Sequence, residues 1–360
     1  MKIPKSWAIA GAAAAVTTLI GIVAFPRPPQ LMTVTGGDME LVATVSDLLD
    51  ASPGPHHRLS VAVVDGDSTT FAHFGAADDT EYEIGSVTKT ITAALFADAI
   101  RRGEVSEDTR LGELLDLGES PAADVTLLAL ATHRSGLPRL PLTPDVILSA
   151  IGTQFTAGDP YRFDLAALLA QTRAATLADP AEFAYSNLGF ALLGQALAAA
   201  ADTTYSGLVT ERVFGSLDMA DSFVPTTTAD LLSTSPSGFT ATGRAADPWT
   251  MNAYAAAGSI RSTASDMVRY IASQLDGTAV GVQALDPRAS AGEGAQVGYA
   301  WLTTPAGAEG REVTWHNGMT GGFASFVGMD RKTGRGVVVL SDTAVSVDAI
   351  GLELLQQGTE

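Results

Sequence analysis

Patterns typical of β-strands occur near both ends of this chain and enclose a long alanine- and leucine-rich stretch typical of helices. Two β-rich runs, 59–64 and 69–74, flank the turn signal Asp65-Gly66-Asp67 and predict a hairpin. From about 111 to 232 the pattern is helical. Further strand runs and a closing helix are predicted at 298–303, 312–315, 324–329, 337–340 and 346–356. This order favours one discontinuous α+β domain with a helical insertion.

The composition is that of a folded protein with an acidic surface. Of 360 residues, 46% are apolar and 17% are charged, so the chain can bury a sizeable core. Acidic residues outnumber basic ones by 40 to 21, and no basic stripe is present, so we expect no binding of nucleic acid. Cysteine is absent, which excludes disulfides, thiolate metal ligands and a cysteine nucleophile. The histidines show no clustering that would suggest a zinc site. We therefore expect no metal and no other cofactor.

The first 30 residues predict a signal peptide or membrane anchor. Lys2 and Lys5 precede an uncharged stretch from Trp7 to Phe25, and a helix of that length rises about 28 Å, close to the thickness of the hydrocarbon layer. The lysines on the N-terminal flank direct the rest of the chain outward. The nearest cleavage site, Ile22-Val23-Ala24, begins with a bulky residue, so an uncleaved anchor is favoured over a cleaved signal. We expect an exported protein of the cell envelope.

Ser86 and Lys89 stand at the start of a helix predicted over 87–100, in the segment EIGSVTK (83–89). Residues three apart share a helix face, so the amine can reach the hydroxyl. A lysine whose pKa is lowered can take the proton of a serine and make it a nucleophile. Lys89 is one of two lysines outside the N-terminal segment, the other basic residues there being arginines. An ordinary N-cap serine with a surface lysine is the alternative explanation of the local sequence.

Two later motifs carry polar side chains that suit a substrate site. Tyr185-Ser186-Asn187 precedes a predicted apolar helix and offers a phenol that can carry protons and an amide that can orient a substrate. His316-Asn317-Gly318 follows a strand run and leads into more glycines, which allow a substrate backbone to approach closely. A histidine there would give a hydrogen bond or a positive charge to a substrate carboxylate. Taken singly, each motif also fits a purely structural role.

Together and in this order, the three motifs resemble those of the penicillin-recognising serine hydrolases. The similar branch contains class C β-lactamases, D-Ala-D-Ala carboxypeptidases and related esterases. The resemblance runs from about 40 to 355 and includes the segments YEIGSVTKTITAALFA (82–97), VTLLALATHRSGLP (125–138), FAYSNLGFALLG (183–194), YAAAGSIRSTASDM (254–267), TWHNGMTGGF (314–323) and GRGVVVLSD (334–342). It implies an antiparallel sheet flanked by helices, with α/β parts at about 40–110 and 245–355 and an all-helical part at about 111–244.

The resemblance also implies an acyl-enzyme mechanism. Ser86 would attack a carbonyl, with Lys89 and Tyr185 sharing the proton relay and Tyr185 serving as base for the water. Asn187, together with His316, Asn317 and Gly318, would bind substrate, Asn187 orienting the substrate or Lys89. The backbone N–H groups of Ser86 and Met319 would form the oxyanion hole. The expected partner is a small-molecule or peptide substrate.

One departure from the family affects the expected activity. The third motif of class C enzymes is usually Lys-Thr-Gly, whereas His-Asn-Gly here resembles the carboxypeptidase and esterase-like members. A literal Lys332-Thr333-Gly334 comes too late in the order and predicts a hairpin turn. His133 is predicted to be structural. We expect a serine hydrolase of carboxypeptidase or esterase type; the alternative is a non-catalytic protein that binds a peptide or a β-lactam.

Overall fold

The computed structural model describes residues 26–141, 143–180, 182–307 and 310–357, except the side chains of Gln154 and Phe155. The apolar stretch of the predicted leader lies outside these residues. Within the described ranges, no helix has both the length and the apolar character needed to cross a membrane.

One antiparallel sheet dominates the described structure. Nine strands follow one another in the order β1-β3-β2-β11-β10-β9-β8-β7-β6, and β4 and β5 form a separate pair. Because β2 pairs with β11, strands from the two ends of the chain meet inside the sheet. The strands within the described residues are β1 (Thr35–Gly37), β2 (Leu59–Asp65), β3 (Ser68–Phe74), β4 (Tyr82–Glu83), β5 (Arg261–Ser262), β6 (Ala289–Gly292), β7 (Ala295–Val297), β8 (Leu302–Pro305), β9 (Glu312–Met319), β10 (Ala324–Asp330) and β11 (Arg335–Ser341).

Helices cover the sheet and fill the middle of the chain. The α-helices of the described residues are α1 (Met39–Ala51), α2 (Thr88–Arg102), α3 (Leu111–Leu114), α4 (Leu127–Ala131), α5 (Pro144–Thr156), α6 (Leu165–Arg173), α7 (Asn187–Ala200), α8 (Tyr205–Val209), α9 (Ala264–Leu275) and α10 (Asp348–Gln356). A π-helical turn spans Thr210–Phe214. Short 3-10 helices span Gly85–Val87, Pro121–Asp124, Gly215–Leu217, Thr228–Asp230, Asn252–Ala257 and Val282–Leu285.

Both faces of the central strands are buried. In β11, Val337 and Val339 pack into a core with residues of α1 and α10, whereas Val338 and Leu340 pack into a larger core with residues of α2, α7 and α9. This division follows from the alternation of side chains along a strand. It explains why β11 is an almost continuous apolar run. The larger core also extends into the helical part of the chain, so the sheet and that part are packed together.

The structure confirms the predicted α+β fold and the first hairpin, in which Asp65 of β2 pairs with Ser68 of β3. Two strand predictions need correction. The strand predicted at 298–303 begins only at Leu302, because Ala300 has a φ of +62° and a turn closes from Gly298 to Trp301. β9 continues beyond 315 because it pairs with β10 as far as Met319. Helices α1 and α9 were not predicted. The domain boundaries stay a prediction.

Candidate active site

Ser86 lies in the 3-10 turn that leads into α2, and this turn is pressed against the end of β9. A Cβ atom at Gly318 would lie 2.1 Å from the carbonyl oxygen of Ile84 and 2.9 Å from the amide nitrogen of Ser86. Gly85 has a φ of +49°, and a Cβ atom at Gly85 would lie 2.8 Å from the amide nitrogen of Met319. Both glycines are therefore needed for the contact. The two amides predicted to form the oxyanion hole flank this contact.

Lys89 is completely buried one turn after Ser86. Its Nζ atom is 3.0 Å from the Oγ atom of Ser86 and donates to the carbonyl oxygen of Ala257 at 2.5 Å. Burial lowers the pKa of the Lys89 amine well below its usual value, and the positive charge of Arg139 lowers it further. An amine with a lowered pKa can be neutral at physiological pH, and a neutral amine can accept the Ser86 proton.

Tyr185 lies in the loop before α7 and completes the group around Ser86. Its phenol is hydrogen bonded to Ser86, and its ring centre is 4.9 Å from the Nζ atom of Lys89. Burial raises the pKa of the phenol, and the Ser86 hydrogen bond opposes that shift only in part. Tyr185 is therefore a neutral phenol at physiological pH. It can pass a proton on, but the group with the lowered pKa is the lysine.

His133 supports the ring of Tyr185 from the protein interior. The two ring centres are 4.5 Å apart, and the Nδ1 atom of His133 accepts the backbone N–H of Ser186 at 3.1 Å. Burial lowers the pKa of His133 well below its usual value, so the ring is neutral. It lies too deep to meet a substrate, being 1% exposed. This placement agrees with the structural role predicted from the sequence.

Asn187 is the first residue of α7 and is 5% exposed. Its Nδ2 atom donates to the Tyr161 hydroxyl at 2.7 Å, whereas its Oδ1 atom is buried and has no hydrogen-bond partner among the described residues. A buried amide oxygen without a partner costs free energy, about 1–3 kcal/mol. The structure pairs Lys89 with Ser86 and Ala257 rather than with Asn187. The expectation that Asn187 orients the substrate stays a prediction.

His316 lies in β9, 3% exposed, with its ring centre 6.4 Å from that of Tyr185. Its Nδ1 atom is 2.6 Å from the carbonyl oxygen of Asn317, to which it donates. Burial, and then the charge of Lys89, lower the pKa of His316 to about 3. The imidazole is therefore neutral, and its remaining nitrogen, Nε2, accepts hydrogen bonds. In this state His316 carries no positive charge for a substrate carboxylate; its role in binding substrate stays a prediction.

Asn317 does not join the group around Ser86. Side chains alternate across a strand, so Asn317 points to the sheet face opposite His316, where its Nδ2 atom donates to Asp348 of α10 at 2.7 Å. The expectation that its side chain binds substrate is corrected accordingly. Gly318 contributes by its lack of a side chain, because it lets β9 approach the turn that carries Ser86.

Lys332 lies far from this group, as the sequence predicts. It occupies the turn between β10 and β11, where its backbone N–H donates to the Oδ1 atom of Asp330 at 2.9 Å. The site is at the other end of β10, where Ala324 pairs with Met319. The six intervening steps of strand correspond to about 20 Å. The Lys-Thr-Gly triplet is therefore part of the hairpin turn between β10 and β11.

Sequence reasoning missed two features of the site. Arg139 is exposed, and its guanidinium carbon is 5.2 Å from the ring centre of Tyr185. No motif marks this residue, because only the packing of its loop against α7 brings it to the site. Behind the site, Glu83 forms a buried ion pair with Arg261 at 2.6 Å. Because these residues belong to the paired strands β4 and β5, the ion pair braces the segment that leads into Ser86.

An antiparallel sheet with a helical part, and a serine bonded to a buried lysine beside a phenol, are typical of serine hydrolases that form acyl-enzymes. The chain belongs to the beta-lactamase family: the family model called Beta-lactamase matches residues 45–357. The family predicted from the motifs is thereby confirmed.

Several solved structures have a similar fold. A class C beta-lactamase from Rhodobacter sphaeroides has a TM-score of 0.73 and 20% identity, covering 86% of this chain and 97% of that one. A beta-lactamase/D-alanine carboxypeptidase from Pseudomonas syringae has a TM-score of 0.75 and 17% identity, covering 89% and 99%. An octameric penicillin-binding protein homologue from Pyrococcus abyssi has a TM-score of 0.74 and 20% identity, covering 88% and 76%. At these identities the likeness concerns the fold.

Curated relatives match a shorter region. A putative fimbrial assembly protein FimD, serogroup D, from Dichelobacter nodosus is 28% identical over 155 residues, which are 41% of this chain and 37% of that protein. The beta-lactamase-like protein 2 of Dictyostelium discoideum is 28% identical over 166 residues, or 40% of this chain and 26% of that protein. The matched region thus spans less than half the length of these relatives.

Proposed function

We propose that this protein is a serine hydrolase that cleaves an amide or ester through an acyl-Ser86 intermediate. The observation that carries the proposal is the 3.0 Å contact between the Ser86 hydroxyl and the Lys89 amine, whose pKa is lowered by burial. A serine needs such a base, since its hydroxyl is a weak nucleophile at neutral pH. The phenol of Tyr185, hydrogen bonded to the same hydroxyl, gives the proton a second position.

In the acylation step, the neutral amine of Lys89 takes the proton of Ser86 while the Oγ atom bonds to the substrate carbonyl carbon. The negative charge that develops on the carbonyl oxygen faces the N–H groups of Ser86 and Met319. The bond from the carbonyl carbon to the leaving group then breaks. Tyr185 donates its proton to that group and recovers one from the Lys89 ammonium, so the step ends with an acyl-enzyme, a protonated leaving group and a neutral amine.

Deacylation reverses the proton movements with water in place of the leaving group. Tyr185 takes a proton from water as it passes its own proton to Lys89, and the water oxygen bonds to the acyl carbon. The bond between that carbon and the Ser86 Oγ atom then breaks, and the Lys89 ammonium returns a proton to the serine. Since the phenol pKa is raised, we infer that Tyr185 acts as base only together with the lysine. This refines the role expected from the sequence.

For the substrate, we propose a carbonyl compound of the D,D-carboxypeptidase or esterase type. The His-Asn-Gly triplet supports this choice over efficient β-lactam hydrolysis, because the histidine is buried and neutral where class C enzymes usually carry a lysine. We also propose that the protein is exported and held at the cell envelope, on the strength of the two lysines and the apolar stretch at 7–25. Fractionation of cells that express the full chain tests this second proposal, since recovery in the cytoplasmic fraction would overturn it.

The test of the enzymatic proposal is intact-protein mass spectrometry of the full chain after exposure to a fluorophosphonate and, separately, to a penicillin. We expect a fluorophosphonate adduct on the wild-type protein and none on Ser86→Ala. An additional penicillin adduct supports wall-peptide chemistry, and its absence supports the esterase type. A folded wild-type protein that forms no adduct with either reagent would overturn the proposal in favour of a non-catalytic binding protein.

A further inference from the structure

The backbone of Arg139 is fixed beside the segment that carries Tyr185. The carbonyl oxygen of Arg139 accepts the N–H groups of Asn187 and Leu188, at 3.2 and 3.3 Å. The carbonyl of the preceding Pro138 accepts the Ser186 hydroxyl at 2.7 Å. Arg139 is therefore attached to the first turn of α7 rather than placed on an independent loop.

The side chain of Arg139 reaches the entrance of the site. Its guanidinium carbon lies 5.2 Å from the centre of the Tyr185 ring, and the Nζ atom of Lys89 lies 4.9 Å from the same centre. The lysine is completely buried, whereas the arginine is exposed. A molecule whose carbonyl lies at Ser86 can thus reach the guanidinium with another of its groups.

Arg139 has no acidic partner in the described part of the chain, although the protein has a net charge of −19. Twelve other arginines each lie within 4 Å of a carboxylate oxygen: Arg101, Arg102, Arg110, Arg162, Arg173, Arg212, Arg261, Arg269, Arg288, Arg311, Arg331 and Arg335. Arg27, Arg58 and Arg134 also have no such carboxylate among the described residues, so the lack of a partner does not by itself single out Arg139. Arg139 differs from these three because it lies against the ring of Tyr185, beside the candidate nucleophile, where its donors are free for a ligand.

The other basic side chains near Ser86 do not offer a positive charge to a substrate. Burial lowers the pKa of Lys89, of His133 and of His316, so that all three favour the neutral form. A guanidinium stays charged and presents planar donors that fit a carboxylate. Among the described residues that surround Tyr185, the charge complementary to an anionic substrate is therefore that of Arg139.

We propose that Arg139 binds a carboxylate of the substrate and makes the enzyme prefer acyl donors that carry one. This inference rests on the proposed hydrolase function and adds a class of substrate to it. It replaces the expectation, drawn from the sequence, that His316 meets the carboxylate.

The test compares matched pairs of esters on the full-length protein. In one pair the two esters differ in the acyl group: the mono-4-nitrophenyl ester of adipic acid carries a carboxylate there, and 4-nitrophenyl hexanoate is neutral. In the other pair the leaving group is charged or neutral: 4-carboxyphenyl hexanoate and 4-carbamoylphenyl hexanoate. The quantity measured is the ratio of kcat/KM for the charged ester to that for the neutral one. It is measured at a pH where the rate no longer depends on pH.

We expect Arg139→Gln to lower this ratio at least tenfold in one of the two pairs, with Arg139→Lys in between, because a charge-assisted hydrogen bond is lost. The pair affected tells which side of the scissile bond carries the carboxylate. Arg134→Gln is the matched control, since it removes the same charge from the same loop but belongs to a side chain that faces the carbonyl of Ser290. That variant should keep the wild-type ratio.

Other outcomes overturn the inference. If Arg139→Gln lowers kcat/KM equally for the charged and the neutral ester of each pair, Arg139 only positions Tyr185. If no ratio changes, it has no role in selecting substrate. Fluorophosphonate labelling of Ser86, measured on the same preparations, separates these results from a failure of the proposed function. A protein that is labelled but has no Arg139-dependent ratio contradicts only the present inference, whereas an unlabelled protein contradicts the hydrolase proposal itself.

Discussion

The Nζ atom of Lys89 lies 3.0 Å from the Oγ atom of Ser86 although the lysine has no exposure to solvent. Burial of an ammonium is unfavourable, and the two hydrogen-bond partners of this amine among the described residues, the Ser86 hydroxyl and the Ala257 carbonyl, carry no negative charge. The protein thus holds an amine where the neutral form is favoured and the serine proton is within reach. Three of the predictions below depend on this pair.

Replacing Lys89 by arginine should abolish acylation. Arginine has a similar length but stays protonated, so it puts a positive charge where the neutral amine was and the base is lost. We expect the rate of fluorophosphonate labelling to fall by about 10²–10⁴-fold in Lys89→Arg. Lys332→Ala is the control, because it changes the other described lysine, at the far end of β10, and should label like the wild type. Equal labelling of Lys89→Arg and wild type would exclude Lys89 as the base.

The pH dependence of kcat/KM should follow the ionisation of Lys89. Since the base must be neutral, kcat/KM for a neutral ester should rise with pH through the pKa of Lys89, which burial and Arg139 place well below the usual value. Removing the guanidinium removes a repulsive charge, so Arg139→Gln should move this rise to higher pH. A profile that stays in place in Arg139→Gln would show that the titrating group is not electrostatically coupled to Arg139.

We expect the buried Lys89 amine to lower the free energy of unfolding of the protein. Its pKa is lower in the folded state than the unfolded value near 10.4, so between these two values the unfolded state binds more protons and stability rises with pH. We expect Lys89→Met to raise the free energy of unfolding by about 1–2 kcal/mol at pH 7 while removing activity. The gain, measured by thermal unfolding, should shrink towards pH 10. A loss of stability at pH 7 would mean that the contacts of the amine outweigh the cost of its burial.

Gly318 should tolerate no side chain. A Cβ atom there would lie 2.1 Å from the carbonyl oxygen of Ile84, so Gly318→Ala must move β9 away from the turn of Ser86. We expect a loss of about 1–3 kcal/mol in the free energy of unfolding, together with slower labelling of Ser86. Gly152→Ala is the matched control, because a Cβ at that position in α5 meets no atom within 4 Å. If both variants behave alike, the contact between β9 and the turn is not essential.

The sequence predicts the parts of the site that depend on local geometry. The spacing of Ser86 and Lys89 is enough to place them on one helix face, and turn residues around Lys332 identify its hairpin. It does not predict the state of His316, because the burial that keeps the imidazole neutral comes from residues distant in sequence. It also fails for Asn317, since the face to which a strand residue points depends on how far the strand extends. The place of Arg139 beside Tyr185 could not be predicted for a similar reason, because it follows from packing against α7.

The sheet order has a consequence for how this protein becomes active. Ser86 is translated early, yet the turn that holds it is pressed against β9, and β9 is held in the sheet by β10, which pairs with β11. Some 230 residues therefore leave the ribosome between the nucleophile and the amide of Met319 that completes its surroundings. Until the C-terminal strands insert beside β2, the amides of Ser86 and Met319, which are predicted to form the oxyanion hole, are not held together. The proposed hydrolysis would therefore require a chain whose C-terminal strands are already folded.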